Sequence, residues 1–146
     1  MKKPILLVDF DGVINSYKSG WQGARNIPDP PVDGAMEFID HATRFFRVCI
    51  YSARSGQWGG KRAMKKWLWI HLEHYVLTAC PEFIELDPFN EDATMADRVV
   101  NDIMGMIKFP TKKPNAFLTI DDRCLRFNGE FGDPEKLLNF KPWHKL

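Results

Sequence analysis

The sequence predicts an α/β fold built around a parallel sheet. Two observations lead to this prediction. Short apolar runs alternate along the chain with longer stretches of helical periodicity, and three of the runs end in polar residues whose side chains could bind a ligand or react with it. The chain has 146 residues, of which 45% are hydrophobic. We therefore expect one domain, residues 1–146, with a sizeable core.

The first predicted strand covers residues 4–8 (PILLV) and is followed by residues 9–12 (DFDG). Side chains alternate along a strand, so Asp9 and Asp11 are expected to share one face. Two carboxylates after a buried strand repel each other and resist burial. Such a pair is typical of a metal site, a nucleophile, or both.

Residues 15–33 are rich in Gly, Pro, Ser and Asn, and predict a long loop. Long loops inside compact domains are usually functional or disordered, and Trp21 in the middle argues against disorder. Asp33 is predicted to cap a helix that runs to about Phe46.

The remaining elements follow from the same patterns. We predict strands at 47–51, 83–86, 107–109 and 116–120. We predict helices at about 61–76 and from 91 to about 104, and one or two helical turns within 133–146. The charges of the basic stretch 61–67 fit the outer face of an amphipathic helix, with Trp67 in the core. Trp143 and His144 are expected to anchor the terminus.

Ligands of open parallel sheets bind beyond the carboxyl ends of the strands. Three predicted strands end there in polar residues, namely Asp9 and Asp11, Ser52 and Arg54, and Asp121 and Asp122. The chain has no Cys/His set with zinc spacing, so oxygen atoms would be the ligands, and these suit Mg²⁺. Ser52 and Lys113 could hold phosphoryl oxygens while a carboxylate attacks phosphorus.

These residues resemble the motifs of the haloacid dehalogenase (HAD) superfamily of phosphatases. Residues 9–13 (DFDGV) are similar to its first motif, D-x-D-G-[VT], while Ser52, Lys113 and the acidic pair 121–122 resemble the second, third and fourth. Five phrases are similar to a small group of capless HAD-like hydrolases of bacteria and their phages: INSY at 14–17, IPDPP at 27–31, SARS at 52–55, KPNA at 113–116 and TIDDR at 119–123.

The resemblance implies a three-layer Rossmann-like fold with a central parallel sheet and no or minimal cap, in which loop 15–33 lies on the substrate side. It implies that Asp9 is the nucleophile and a Mg²⁺ ligand. Asp11 would serve as general acid and base, and its backbone carbonyl would bind Mg²⁺. Whether loop 15–33 closes over the site is left open.

The resemblance also implies the remaining roles. Ser52 would bind the transferring phosphoryl group and Lys113 would neutralise its charge, although Lys112 competes for that role. Asp122 is the predicted direct metal ligand, with Asp121 beside it as a direct or outer ligand. Apart from the resemblance, the positions of Arg54 and Arg123 near the strand ends indicate contacts to substrate. Trp21 is also assigned to substrate binding, since Trp21 and Trp58 lie on flanking loops and could stack on a base or sugar.

The predicted activity is Mg²⁺-dependent hydrolysis of a phosphomonoester through an aspartyl-phosphate. The substrate would be a small-molecule phosphomonoester, or a nucleotide or nucleic-acid phosphate, with sugar phosphates and phosphorylated protein left open. Two alternatives use the same fold: a non-enzymatic phosphoacceptor switch, against which the order of the motifs argues, and a nucleic-acid-binding module.

Bulk properties constrain the function only weakly. The formal net charge of +1 argues neither for nor against a polyanionic partner. Three cysteines, an odd number without paired spacing, favour a reducing compartment. With no apolar segment long enough to cross a membrane and too few residues before the first strand for a signal peptide, we expect a cytoplasmic protein. The oligomeric state is not predicted.

Overall fold

The computed structural model describes residues 2–146 and has a mixed α/β fold in which helices flank a parallel sheet. In chain order the elements are β1 (Ile5–Val8), α1 (Ala35–Ala42), β2 (Arg47–Ile50), α2 (Gly60–Ala79), β3 (Leu86–Asp87), β4 (Asn90–Thr94), α3 (Met95–Gly105), β5 (Ile107–Lys108), β6 (Leu118–Ile120) and α4 (Pro134–Leu137). Short 3₁₀ helices cover Pro81–Ile84 and Trp143–Lys145.

The sheet has four parallel strands in the order β5-β2-β1-β6. In the register of the sheet, Val8 at the end of β1 lies opposite Ile50 of β2 and Ile120 of β6. The three strands therefore end level with one another. The residues that follow them leave the sheet along the same edge, as the sequence predicts.

The hydrophobic core packs helices against the sheet. Alternate residues of the two central strands, including Val8 and Val48, join apolar side chains of α1, α2 and α3 in one cluster. Phe10 is fully buried there with its ring edge-on to Trp67, 5.0 Å between centroids. The predicted core position of Trp67 is thus confirmed.

The long helix α2 extends beyond its predicted bounds. Gly59 precedes it with a left-handed φ of 74°, and Gly60 opens it. A Cβ at Gly60 would collide with the backbone carbonyl of Arg54, so only glycine fits there. None of the helices described within residues 2–146 combines the length and apolar character needed to span a bilayer.

The prediction of one helix over 91–104 is wrong for its first four residues. Residues Asn90–Thr94 pair antiparallel with β3, and α3 begins only at Met95. Thr94 and Asp97 form a capping box, in which the Thr94 hydroxyl accepts from the Asp97 N–H at 3.1 Å and the Asp97 carboxylate from the Thr94 N–H at 2.8 Å. This cap starts the helix later than periodicity alone indicates. The tentative strand at 83–86 is mostly 3₁₀ helix and loop.

The predicted cap of α1 is also wrong. Gly34, with φ 80°, precedes the helix, and no side chain caps it, so Asp33 lies outside. The left-handed glycine turns the chain directly into the helix. The helix ends at Ala42, before the predicted Phe46, and the Thr43 hydroxyl donates to the carbonyl of Asp40 at 2.7 Å.

Loop 15–33 is fastened to the domain by polar contacts. The Asp29 carboxylate accepts from the N–H and the hydroxyl of Ser19 at 2.8 and 2.6 Å, and its carbonyl accepts from Trp67 Nε1 at 3.1 Å. Arg54 Nη1 donates to three backbone carbonyls of the loop, those of Gly23, Ala24 and Asn26. The loop is therefore a defined part of the structure on the side of the strand ends.

Candidate active site

An acidic cluster lies at the carboxyl ends of the two adjacent strands β1 and β6. One carboxylate oxygen from each of Asp9, Asp121 and Asp122 lies within 4.8 Å of the others. The level ends of the strands produce this arrangement, because Asp9 directly follows Val8 and Asp121 directly follows Ile120. Three carboxylates at this spacing could hold a metal ion.

The side chain of Asp122 is almost fully buried. Its side chain is 1% exposed, and Oδ2 lies 2.8 Å from Nε2 of His144. Its other oxygen, Oδ1, is buried and has no hydrogen-bond partner among residues 2–146. A Cβ at Gly12 would collide with this carboxylate, so glycine is required beside it. A buried carboxylate oxygen with no partner is unfavourable, and a bound cation or water would satisfy it.

The pKa of Asp9 is raised mainly by its burial and, to a smaller degree, by the neighbouring carboxylates. Burial raises the pKa of Asp9 from 3.8 to about 7, and the charges of Asp121, Asp122 and Asp11 add to this effect. The Phe10 N–H, which donates to Asp9 Oδ1 at 2.8 Å, opposes it. Removing a carboxylate from water disfavours its ionised form, and a nearby cation would restore that form.

The Asp11 carboxylate faces Arg54 and lies outside the cluster. Arg54 Nε donates to Asp11 Oδ2 at 2.9 Å, and Arg54 Nη2 donates to Oδ1 at 3.0 Å. Asn15 Nδ2 also donates to Oδ1, at 2.9 Å. These hydrogen bonds hold the Asp11 carboxylate in a fixed orientation. Oδ1 accepts from both Arg54 and Asn15, whereas Oδ2 accepts from Arg54 alone.

Arg54 is fully buried, although the sequence predicts that it contacts substrate. Its Nε and Nη2 bind Asp11, its Nη1 binds the loop carbonyls, and its guanidinium lies 4.8 Å from the ring centroid of Trp21. Contact with a substrate would require loop 15–33 to move. In the structure the Arg54 side chain forms hydrogen bonds both with Asp11 and with the backbone of loop 15–33.

Two neighbouring cavities adjoin the acidic cluster. A cavity of about 170 Å³ has Asp9, Ser52, Lys113 and Asp121 in its wall. A second of about 260 Å³ shares Asp9, Ser52 and Asp121 with the first. Of the two candidate lysines, Lys113 lines the smaller cavity. Ser52 is buried, and its Oγ accepts from the Arg54 N–H at 3.0 Å.

The two other predicted substrate contacts line the larger cavity and are partly exposed. Trp21 is 44% exposed and packs over Arg54. The Arg123 side chain is 61% exposed, with Nε 4.0 Å from Asp122 Oδ2. Both side chains are thus open to a molecule in the cavity.

The sequence analysis missed the contribution of the chain end to the site. His144 is 22 positions from Asp122 yet lies within hydrogen-bond distance of it. Trp143 Nε1 donates to the carbonyl of Gly12 at 2.7 Å, which is the anchoring predicted for it. Tyr17, which lines the larger cavity, has an unusual φ of 57° and lies edge-on to the His144 ring. No spacing in the sequence indicates these contacts.

Comparison of the chain with protein-family models, with curated proteins and with solved structures gives no match. The fold and the site therefore define a class only: an α/β protein with a four-stranded parallel sheet and an acidic cluster at the carboxyl ends of its strands. The HAD resemblance rests on the sequence motifs.

Proposed function

We propose that the protein is a Mg²⁺-dependent phosphomonoesterase with the three-layer Rossmann-like architecture of the HAD superfamily. The observation that supports this most is the convergence of Asp9, Asp121, Ser52 and Lys113 on one small cavity. A carboxylate nucleophile, a hydroxyl donor and a cation are the groups that phosphoryl transfer requires, because it depends on positioning and charge neutralisation. An acidic cluster alone would not supply them.

The described side chains fit a divalent cation. Asp9, Asp121 and Asp122 would hold Mg²⁺, and the backbone carbonyl of Asp11 would complete the protein ligands. Two observations support a bound cation at this point: Oδ1 of Asp122 has no hydrogen-bond partner within the described residues, and the pKa of Asp9 is raised. When bound, Mg²⁺ neutralises charge on phosphoryl oxygens and acts as a Lewis acid.

The protein's own groups would perform a two-step displacement. An oxygen of the Asp9 carboxylate attacks phosphorus and forms an aspartyl-phosphate, while the bond from phosphorus to the leaving oxygen breaks and Asp11 donates a proton to that oxygen. Water, deprotonated by Asp11, then attacks the aspartyl-phosphate, releases inorganic phosphate and regenerates Asp9. Ser52 and Lys113 bind the phosphoryl oxygens in both steps. Asp11 Oδ2 is the oxygen better placed for proton transfer, because Oδ1 accepts from both Arg54 and Asn15.

The first test is phosphate release from a substrate panel, with Mg²⁺ and with EDTA. The panel contains p-nitrophenyl phosphate, nucleoside 3′- and 5′-monophosphates, oligonucleotides with terminal phosphates, sugar phosphates and phosphopeptides. We expect Mg²⁺-dependent release, with nucleotides or oligonucleotide ends preferred. No release from any substrate would contradict the proposal, and stable labelling by acetyl phosphate without release would favour a phosphoacceptor switch.

A second test concerns His144. Groups that hydrogen-bond to metal ligands orient them, and their loss typically lowers metal affinity about 10- to 100-fold. We expect that loss for His144→Ala in Mn²⁺ binding followed by electron paramagnetic resonance. His144→Gln should restore part of the affinity, since its amide can donate to Asp122 Oδ2.

The matched control is His74→Ala, which removes an exposed histidine from α2. It should bind Mn²⁺ like the wild type. Tighter binding by His144→Ala would show that His144 competes with the cation for Asp122, and would overturn the orienting role.

The proposal also covers location and substrate class. All three cysteines are free, and reduced thiols are typical of the cytoplasm, where we place the protein. The substrate would be a nucleotide or a nucleic-acid phosphate, because Trp21 lies open beside the acidic cluster and could stack on a base.

A further inference from the structure

A basic concavity lies at the start of α2. It has a volume of about 710 Å³, and five of the nine residues that line it are Arg or Lys while none is Asp or Glu. The five are Arg25, Lys61, Arg62, Lys65 and Lys66. The whole chain has a formal charge of only +1, so this concentration of one sign is local. Such a surface attracts a polyanion.

An exposed tryptophan lies in the same concavity. Trp58 is 83% exposed, and the Arg25 guanidinium lies 4.8 Å from its ring centroid. Gly59, in a left-handed conformation, makes room for Arg25, since a Cβ there would come within 2.6 Å of Arg25 Cδ. Arg25 thus covers one face of the indole while the other remains open. An open aromatic face among cations can stack on a nucleobase.

The concavity lies next to segments that carry residues of the proposed active site. Its loop follows directly after Ser52 and Arg54, and the Gln57 N–H donates to the carbonyl of Arg54 at 3.1 Å. On the other side, Lys61 Nζ donates to Thr111 Oγ1 at 2.8 Å, two residues before Lys113. The concavity shares no lining residue with the cavities beside Asp9, so a bound chain would have to extend beyond the concavity to reach them.

We propose that this concavity binds a single strand of nucleic acid. Its cations bind backbone phosphates, and the open face of Trp58 stacks on one base. The base must be unstacked to do so, which favours a single strand over a duplex. An acidic peptide would satisfy the cations and leave the indole face without a partner. The sequence alone favours a solvated helix face for 61–67, but the fold adds Arg25 and Trp58 from other segments.

The proposal deepens the proposed function and rests on it in one respect: a strand that extends beyond the concavity toward Lys113 would bring its terminal phosphate to Asp9. The binding surface itself stands without that function. Its test therefore measures binding in EDTA, where hydrolysis does not occur, by fluorescence anisotropy of a labelled 12-nucleotide single strand, as DNA and as RNA. Wild-type protein should bind at 50 mM salt and weaken steeply at 200 mM.

Two variants locate the binding surface. Arg62→Glu with Lys66→Glu should weaken binding at least 10-fold and flatten the salt dependence, by about 0.7 in the log–log slope for each lost phosphate contact. Trp58→Ala should weaken binding about 5- to 100-fold with little change of that slope, because stacking releases no counterions. The matched control, Arg44→Glu with Lys136→Glu, makes the same charge change at exposed positions outside the concavity and should bind nearly as the wild type.

Each other outcome overturns the inference. Lack of binding at 50 mM salt, or an equal loss in the control variant, would exclude a defined surface. Tighter binding of duplex than of single strand would exclude the stacking role, and equal competition by polyglutamate would favour an acidic peptide. Phosphate release from p-nitrophenyl phosphate, measured on the same preparation, separates the two proposals: activity without binding overturns only this inference, and binding without activity overturns only the proposed phosphatase.

Discussion

Asp9→Asn is expected to abolish phosphomonoester turnover and to make the metal-free protein more stable at pH 8. The amide cannot attack phosphorus, and loss of a nucleophile lowers kcat by about 10⁴-fold or more. The fold should persist, because the Asn side-chain oxygen can still accept the hydrogen bond that the Phe10 N–H donates to Asp9. Phosphate release and thermal unfolding in EDTA measure the two effects.

The stability effect follows from the raised pKa of Asp9. Its pKa is 3.8 in the unfolded chain and about 7 in the folded protein, so the folded protein binds the proton more tightly. The wild type therefore loses stability as the pH rises from about 4 to about 7, and the loss is complete above that range. Asn does not titrate. The gain in free energy of unfolding that Asp9→Asn gives over the wild type should grow by about 3 kcal/mol between pH 5 and pH 8.

Asp92→Asn is the matched control, because it removes an exposed carboxylate on β4. It should keep full activity and show little pH-dependent gain. Adding Mg²⁺ at pH 8 should raise the melting temperature of the wild type and leave that of Asp9→Asn nearly unchanged. Near-normal turnover by Asp9→Asn would rule out the covalent mechanism.

Arg54→Met is expected to be the most destabilising single substitution outside the apolar core. Arg54 is fully buried, and it neutralises Asp11 and donates to three carbonyls of loop 15–33. Its loss leaves a carboxylate and several carbonyls without partners. Removing one member of a buried ion pair costs about 3–5 kcal/mol, which should lower the melting temperature by about 10 °C.

A control variant and a double variant test whether the loss of stability comes from the Arg54–Asp11 pair. Arg44→Met, at an exposed position on the turn after α1, should change the free energy of unfolding by less than about 0.5 kcal/mol. Adding Asp11→Asn to Arg54→Met should recover part of the loss, because it removes the charge that lacks a partner. If Arg54→Met does not fold, Asp11→Asn alone tests the pair and should also destabilise. A cost below about 1 kcal/mol for both single variants would contradict the buried pair.

Much of the site was predictable because it depends on local patterns. A short apolar run followed by an acid marks the end of a buried strand, and parallel strands place their carboxyl ends along one edge. Asp9 and the pair 121–122 were expected together on this ground, and the register of β1 with β6 brings them within 4.8 Å. The element bounds were less predictable, since capping by Gly34 and Thr94 overrides periodicity.

The sequence by itself determined the parallel α/β architecture and the acidic strand ends, because both are encoded in local patterns: the succession of apolar strands and amphipathic helices, and the alternation of side chains on a strand. Only the tertiary structure decided the partners of these groups. It places the buried Arg54 in an ion pair with Asp11, His144 within hydrogen-bond distance of Asp122, and the Arg25 guanidinium over the ring of Trp58. These pairs are formed by chain segments that lie far apart in sequence, and no periodicity or spacing encodes which distant side chains a fold will bring into contact.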